Sequence, residues 1–142
     1  MVQDDLKEDA ALVRHIYLHR AFPRGNVAVA ELHFADGRCF GMGATSRAKS
    51  PAPKPLPRSQ GGIFEPSLDF YSERIMDTDA EYKLLSAIAE VLETDSNHGA
   101  EGMLYLYTER KPCKSCEQVL QQFSQKFPNI EVRLEWSYPY PP

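Results

Sequence analysis

Apolar residues recur along this chain with two spacings, and the spacing changes from one segment to the next. Residues 80–92 carry Leu84, Ile88 and Leu92 at the spacing of an amphipathic helix, whereas residues 130–136 alternate as in a strand. The patterns predict helices over 4–21, 80–92 and 114–126, and strands over 27–34, 38–43, 102–107 and 130–136. This order predicts an α/β fold of three layers. A mixed sheet, antiparallel at first and parallel later, is flanked by helices on both faces.

Turn-forming residues predict the structure of two further segments. Asp36-Gly37 lies between two apolar runs and predicts a hairpin. Residues 44–69 contain five prolines and Gly61-Gly62, which argue against a helix or a central strand there. We therefore expect a long, irregular, proline-rich and basic surface loop over 44–69, within a single domain spanning residues 1–142.

Composition narrows the class of protein. With 142 residues, 42% apolar and 25% charged, the chain suits one globular domain and not a collagen, a disulfide scaffold or a disordered protein. No apolar run reaches the ~18 residues of a membrane helix, so we expect no membrane segment. The acidic first residues, Met1 to Asp9, do not resemble a signal peptide.

Charge is unevenly distributed. Residues 37–64 contain five cations and no acid, while the rest of the chain has 11 cations and 20 acids. The cations of this stretch are Arg38, Arg47, Lys49, Lys54 and Arg58. A basic arm on an acidic body suits local contact with phosphate, and a solvated loop without a partner is the alternative.

Two short stretches carry chemistry. Asp79-Ala80-Glu81 opens the second predicted helix, and Pro112-Cys113-Lys114-Ser115-Cys116 opens the third. Cys113 and Cys116 share a helix face, so both sulfurs can bind one ion. Asp79 can supply a third ligand, and Glu81 can hold a proton beside water in the open fourth position.

Simpler interpretations exist for each stretch alone. Thr78-Asp79-Ala80-Glu81 also matches a helix-capping box. The cysteine pair fits a redox pair, or a structural zinc site completed by His98 and Asp79. Cys39, in a predicted strand, is expected to be a small buried hydrophobe. Both stretches together, in this order, favour a catalytic zinc site.

The same residues resemble a known family. A helix opening with Asp79-Ala80-Glu81, followed after a strand by Pro112-Cys113-Lys114-Ser115-Cys116, is similar to the zinc-dependent cytidine deaminase superfamily. Thr108-Glu109-Arg110-Lys111 before the cysteines and Phe127-Pro128-Asn129-Ile130 after them look like the deaminase domains of bacterial polymorphic toxins. Most superfamily members have histidine where this chain has Asp79.

The resemblance implies a fold, a cofactor and roles. The fold is cytidine deaminase-like, with four to five strands. One zinc ion would be held by Asp79, Cys113 and Cys116, and Glu81 would be the catalytic proton shuttle that converts cytosine to uracil in nucleic acid. The chain would be a toxin effector, secreted from its bacterium, active in the cytoplasm of a target cell and neutralised by an immunity protein.

Substrate contacts follow from the same resemblance and from charge. Asn26 lies where such enzymes contact the flipped nucleoside, and Arg47, Lys49 and Arg58 could grip the backbone. Single-stranded DNA is the expected substrate because an unpaired base needs no extrusion. Double-stranded DNA, RNA, free nucleoside and adenine as the target base stay open. So do a non-catalytic binding module with a structural Cys-Cys zinc site and a thiol–disulfide enzyme.

Overall fold

The fold is described here from a computed structural model of the chain. It describes residues 2–19, 25–47, 49–55, 60, 62–64, 68–69, 74–75, 80–94, 99–110 and 114–138. The helices are α1 (Val2–Val13), α2 (Ala80–Thr94) and α3 (Lys114–Lys126), with a π-helical turn at Arg14–Leu18. The strands are β1 (Val27–Phe34), β2 (Cys39–Thr45), β3 (Leu68–Asp69), β4 (Arg74–Ile75), β5 (Gly102–Arg110) and β6 (Ile130–Tyr138).

Over the described residues, four strands form the main sheet in the order β2-β1-β5-β6. β1 is antiparallel to both of its neighbours, and β5 and β6 are parallel. β3 and β4 form a separate two-stranded ladder. The predicted α/β class, with a mixed sheet that is antiparallel at first and parallel later, is confirmed.

The two faces of the sheet are covered by different helices. Alternate residues of β1 point to opposite faces. Ala28 and Leu32 join the larger core with α2 and α3, whereas Val27 and Val29 join a smaller core with α1. The molecule therefore has three layers, as the order of elements predicts.

The β1–β2 hairpin has a longer turn than the Asp36-Gly37 pair predicts. The Gly37 N–H donates to the Phe34 carbonyl, and the Phe34 N–H donates to the Arg38 carbonyl. Gly37 has a φ of 95°, a conformation that glycine adopts without strain. A hydrogen bond from the Arg38 backbone N–H, together with the Arg38 guanidinium, holds the pKa of Asp36 below its ordinary value.

Two predictions about individual segments are wrong in part. The predicted helix over 4–21 is α-helical only to Val13 and continues as the π-helical turn at Arg14–Leu18. The segment 44–69, expected at the surface, places Ala52 and Phe64 in the larger core. Its residues Leu68 and Asp69 form β3 and are therefore not irregular.

Among the described helices, none has the length and apolar character needed to cross a membrane.

Candidate active site

The first turn of α2 carries a buried carboxylate that faces the sheet. Glu81 is 1% exposed. Its Oε1 accepts a hydrogen bond from Thr108 Oγ1 at 2.5 Å and from Asn26 Nδ2 at 3.2 Å. Thr108 lies near the end of β5, and Asn26 immediately precedes β1. Because β1 and β5 are antiparallel, the start of one lies beside the end of the other, and the start of α2 is placed against both.

Asn26 is held in one orientation by its surroundings. Its Oδ1 accepts the backbone N–H of Arg110 at 3.2 Å, which leaves Nδ2 to donate to Glu81 and, at 3.0 Å, to Thr108 Oγ1. Its backbone N–H donates to Ser46 Oγ, and its carbonyl accepts the Ser46 N–H. Because only the amide oxygen can accept a hydrogen bond from a backbone N–H, this contact identifies the oxygen and the nitrogen of the Asn26 side chain. We call Asn26, Glu81 and Thr108 the Glu81 network.

The network solves the problem of burying a charged group. An ionised carboxylate inside a protein is costly unless hydrogen-bond donors replace its water. Thr108 donates its hydroxyl proton to Glu81 while its oxygen accepts from Asn26, so each group orients the next. Glu81 is thereby held at a defined position before any substrate arrives. Capping the helix alone would not require Oε1 to accept hydrogen bonds from β5 and from the residue before β1.

The basic segment after β2 is attached to the same helix. Lys83, 3% exposed, donates from Nζ to the carbonyls of Thr45 at 3.0 Å and Arg47 at 2.8 Å. Thr45 Oγ1 donates to the Lys49 carbonyl at 2.7 Å, which folds the segment into a compact turn. The side chains of Arg47 and Lys49 are exposed. Two cations are therefore presented to solvent on a segment whose Ser46 contacts Asn26.

A buried ion pair fixes the π-helical turn after α1 to this end of the sheet. Arg14 Nε donates to Glu109 Oε2 at 2.8 Å, and a second guanidinium nitrogen lies 2.5 Å from Glu109 Oε1. Glu109 Oε1 also accepts the Val27 N–H at 3.1 Å, and Arg14 donates to the Gly25 carbonyl at 3.1 Å. Glu109 follows Thr108, so this pair lies next to the Glu81 network and braces the strand ends that form it.

The expected metal ligands lie at or beyond the limits of what the structure describes. Asp79 and Cys113 fall outside the described residues, as does Arg58 of the expected backbone contacts. Cys116 belongs to α3, and its side chain is outside the described part as well. These assignments remain predictions. The structure does place the start of α2 and the end of β5 at the same end of the sheet. These two segments lead directly to Asp79 and Cys113.

The chemistry of the expected donor set fits zinc. Carboxylate oxygen and thiolate sulfur are both ligands that zinc accepts in tetrahedral sites. Three protein ligands leave one position open, as in catalytic zinc sites. Glu81, which accepts hydrogen bonds from Asn26 and Thr108, lies two residues after Asp79.

Sequence patterns alone do not reveal two residues of this region. Thr108 enters the sequence patterns only as part of the stretch before the cysteines, and no pattern singles out Lys83. Both are buried polar residues whose partners lie 27 or more positions away. The usable signal for Thr108 is a polar residue that directly follows the predicted strand over 102–107 and precedes the Pro-Cys motif.

Comparisons with known proteins assign the family. A search of curated proteins gives no match. A model of toxin deaminases, described as the BURPS668_1122 family of deaminases, matches residues 65–137, just over half of the chain. The matched range contains Glu81, Thr108 and the cysteine pair, while Asn26 and the basic turn at 45–49 precede it. The chain belongs to the BURPS668_1122 family of deaminases, the toxin-deaminase type of the cytidine deaminase superfamily.

Proposed function

We propose that this chain is a zinc-dependent cytosine deaminase that acts on single-stranded DNA as the effector domain of a bacterial toxin. The family supports hydrolytic deamination. The observation that carries the proposal is the Glu81 network. In this network the buried carboxylate of Glu81 is hydrogen-bonded by Asn26 and Thr108. It lies between the segments that lead to Asp79 and Cys113.

Glu81 is the proton carrier of the proposed reaction. Hydrolytic deamination adds water at C4 of cytosine and expels ammonia, which gives uracil. The carboxylate of Glu81 takes a proton from the attacking water and delivers it to the ring nitrogen next to C4. Asn26 and Thr108 hold the Glu81 carboxylate in a defined position, so proton exchange needs little reorganisation of the side chain.

Asp79, Cys113 and Cys116 are the residues that would hold zinc. Bound there, zinc would supply the Lewis acidity that makes water nucleophilic near neutral pH. The start of α3 favours ionised thiols, because the N-terminal end of a helix stabilises negative charge.

The basic turn after β2 supports a nucleic-acid substrate. Arg47 and Lys49 are exposed on a segment that is bound to Asn26 through Ser46 and to α2 through Lys83. Their charges suit the phosphates on either side of the target nucleotide. Two cations give a small electrostatic footprint, which favours a single strand over a duplex that must first lose a base pair.

The family's place in toxins motivates the biological setting. As a toxin effector, the domain would be secreted from its producer and would deaminate nucleic acid in the cytoplasm of a target cell. The producer would need an immunity protein that covers the site. Co-expression with such a protein should suppress mutagenesis that the domain alone causes in cells.

A substrate panel tests the reaction. Purified, zinc-loaded protein is incubated with single-stranded DNA, duplex DNA, RNA and free cytidine, with Glu81→Gln as the blank. Uracil is detected by glycosylase cleavage in DNA and by mass spectrometry elsewhere. We expect uracil to form fastest in single-stranded DNA. Faster product from duplex DNA or RNA would overturn the substrate, and the absence of product above the blank on every substrate would overturn the deaminase assignment.

One observation favours a second function, a non-catalytic binding module. Glu81 is almost fully buried and hydrogen-bonded, as a purely structural carboxylate would be. On that account, Glu81→Gln would lower thermal stability, and no nucleic acid would be modified by the wild-type chain. On the deaminase account, the variant keeps its fold and its zinc and loses turnover.

A further inference from the structure

We infer that Glu31, His33 and Cys39 form a second zinc site, separate from the proposed catalytic one. Glu31 and His33 are two positions apart on β1, so their side chains leave the same face of the sheet. Cys39 is directly opposite His33 in the antiparallel pairing of β1 with β2, and paired residues share a face. We call these three residues the Glu31–His33–Cys39 triad.

The donor atoms of the triad are close enough for one ion. One ligand atom from each residue lies within 4.8 Å of the others. The Glu31 Oε1 to His33 Nε2 distance is 2.8 Å. Ligands around a tetrahedral zinc lie about 3.3–3.8 Å apart, as its bond lengths of roughly 2.0–2.3 Å require. Small side-chain rotations therefore suffice to convert the triad into a coordination site.

His33 has a buried ring nitrogen that makes no well-aligned hydrogen bond among the described residues. Nε2 is buried and, among the residues that the structure describes, makes no aligned hydrogen bond, although Glu31 Oε1 is 2.8 Å away. The imidazole ring packs edge-on against Tyr105, with centroids 5.3 Å apart and planes at 85°. This packing holds the ring in place. A metal ion would satisfy a nitrogen that the protein leaves without a well-oriented partner.

The set of donors selects the kind of ion. Imidazole nitrogen and thiolate sulfur favour zinc over magnesium or calcium, which prefer oxygen ligands. One thiolate and one carboxylate balance the double charge of the ion. Cys39 is exposed, so an ion can reach the site from solvent.

The expectation that Cys39 is a buried hydrophobe is therefore wrong, because its place at the start of the outer strand β2 leaves it accessible.

The triad and the Glu81 network are far apart. His33 is seven residues along β1 from Asn26, about 23 Å in an extended strand. The triad faces the α1 side, as Val27 and Val29 do, whereas Glu81 approaches from the α2 side. All three triad residues also precede the range matched by the family. The proposed site therefore lies in the β1–β2 hairpin, outside the range matched by the family.

Zinc in the triad would fasten the β1–β2 hairpin next to its turn. An ion that binds the folded chain and not the unfolded chain raises stability in proportion to the logarithm of its concentration over Kd. We therefore expect the midpoint of thermal unfolding to rise with free zinc even when the catalytic ligands have been removed.

The decisive test uses the Cys113→Ser, Cys116→Ser double variant. The chain has three cysteines, so Cys39 is the only thiol left in this variant. Cobalt(II), a spectroscopic substitute for zinc, is titrated in, and the thiolate-to-cobalt charge-transfer band is followed. We expect the band to saturate at one equivalent and to disappear on adding His33→Gln. Absence of the band in the folded double variant, or its persistence with His33→Gln, overturns the proposal.

A second measurement covers the case in which the double variant does not fold. Zinc retained after dialysis is then counted in the otherwise wild-type chain. We expect the Cys39→Ser and His33→Gln variants each to hold one equivalent less than wild type, with turnover unchanged. His15→Gln is the matched control, because His15 and His19 are the other described histidines with adjacent rings, 6.4 Å apart. Equal zinc in wild type and Cys39→Ser contradicts the site, as does a loss in His15→Gln.

Discussion

The two ends of strand β1 carry polar clusters of opposite character. At its start, the Glu81 network is buried, and Asn26 uses both its amide nitrogen and its amide oxygen in hydrogen bonds. Near its other end, the Glu31–His33–Cys39 triad is partly exposed, and a ring nitrogen has no aligned partner. A saturated, buried cluster holds a carboxylate in a fixed geometry, as proton transfer requires. An unsaturated cluster near solvent can instead take its missing partner from solution.

Removing metal should give the largest difference between the polar clusters at the two ends of β1. Treatment with a chelator is expected to reduce deamination to background, because water loses its Lewis-acid activation. Added zinc should restore turnover equally in wild type and in Cys39→Ser. The measurement is the rate of uracil formation against zinc added. Failure of Cys39→Ser to recover would show that the triad, and not the Asp79 end, supplies the catalytic metal.

The ion pair beside the network should have the next largest effect. Arg14→Met leaves Glu109 as a buried carboxylate without its cation, and such losses typically cost about 3–5 kcal/mol. We expect a loss of unfolding free energy in that range, measured by urea denaturation. The double variant Arg14→Met, Glu109→Gln should be much less destabilised than the sum of its single variants. Additive losses would mean that the two side chains do not depend on each other.

Within the network, Thr108→Val keeps the shape of the side chain and removes the hydroxyl. It leaves Glu81 without one donor, which should cost about 1–3 kcal/mol of unfolding free energy. We expect kcat to fall about tenfold or more while KM changes little, because Glu81 is mispositioned and substrate binding is intact. Thr108→Ser should restore both values.

At the other end of β1, Cys39→Ser in metal-free buffer should change the free energy of unfolding by less than about 0.5 kcal/mol.

The smallest effect is expected from the exposed cations near the network. Arg47→Ala with Lys49→Ala should weaken binding to single-stranded DNA and lower its dependence on salt, with a slope smaller by about 1–2. Binding is measured by fluorescence anisotropy at several salt concentrations. Lys7→Ala, an exposed cation of α1, is the control and should leave the slope unchanged. An unchanged slope in the double variant would remove these residues from the binding surface.

Much of the architecture could be predicted from periodicity. The helix over residues 114–126 has the predicted bounds, and strand 27–34 likewise. The first helix changes from α to π at Arg14, whose side chain pairs with Glu109, a contact across 95 positions that no local pattern contains. The proline-rich segment places Phe64 in the core because Tyr82 donates its hydroxyl proton to the Phe64 carbonyl and packs there. These are tertiary effects that override local preference.

The candidate site could be predicted only where motif spacing marks it. The motif spacing marks Glu81, which follows Asp79 at the start of a helix, and the resemblance to the family marks Asn26. No local pattern links the two residues, since Asn26 and Glu81 are 55 positions apart. The triad has no sequence signal for a related reason. Glu31, His33 and Cys39 have no recognised metal-site spacing in sequence, and only the register of the hairpin brings them together.

The central claim is that Glu81 carries the proton in deamination, and single-turnover kinetics test it most directly. Wild type, Glu81→Gln and the matched control Glu90→Gln, an exposed position of the same helix, are compared on one single-stranded oligonucleotide at equal zinc content. We predict that Glu81→Gln slows uracil formation about 10²–10⁴-fold with its fold and zinc retained, and that Glu90→Gln does not. A Glu81→Gln protein that converts cytosine at the wild-type rate would contradict the account.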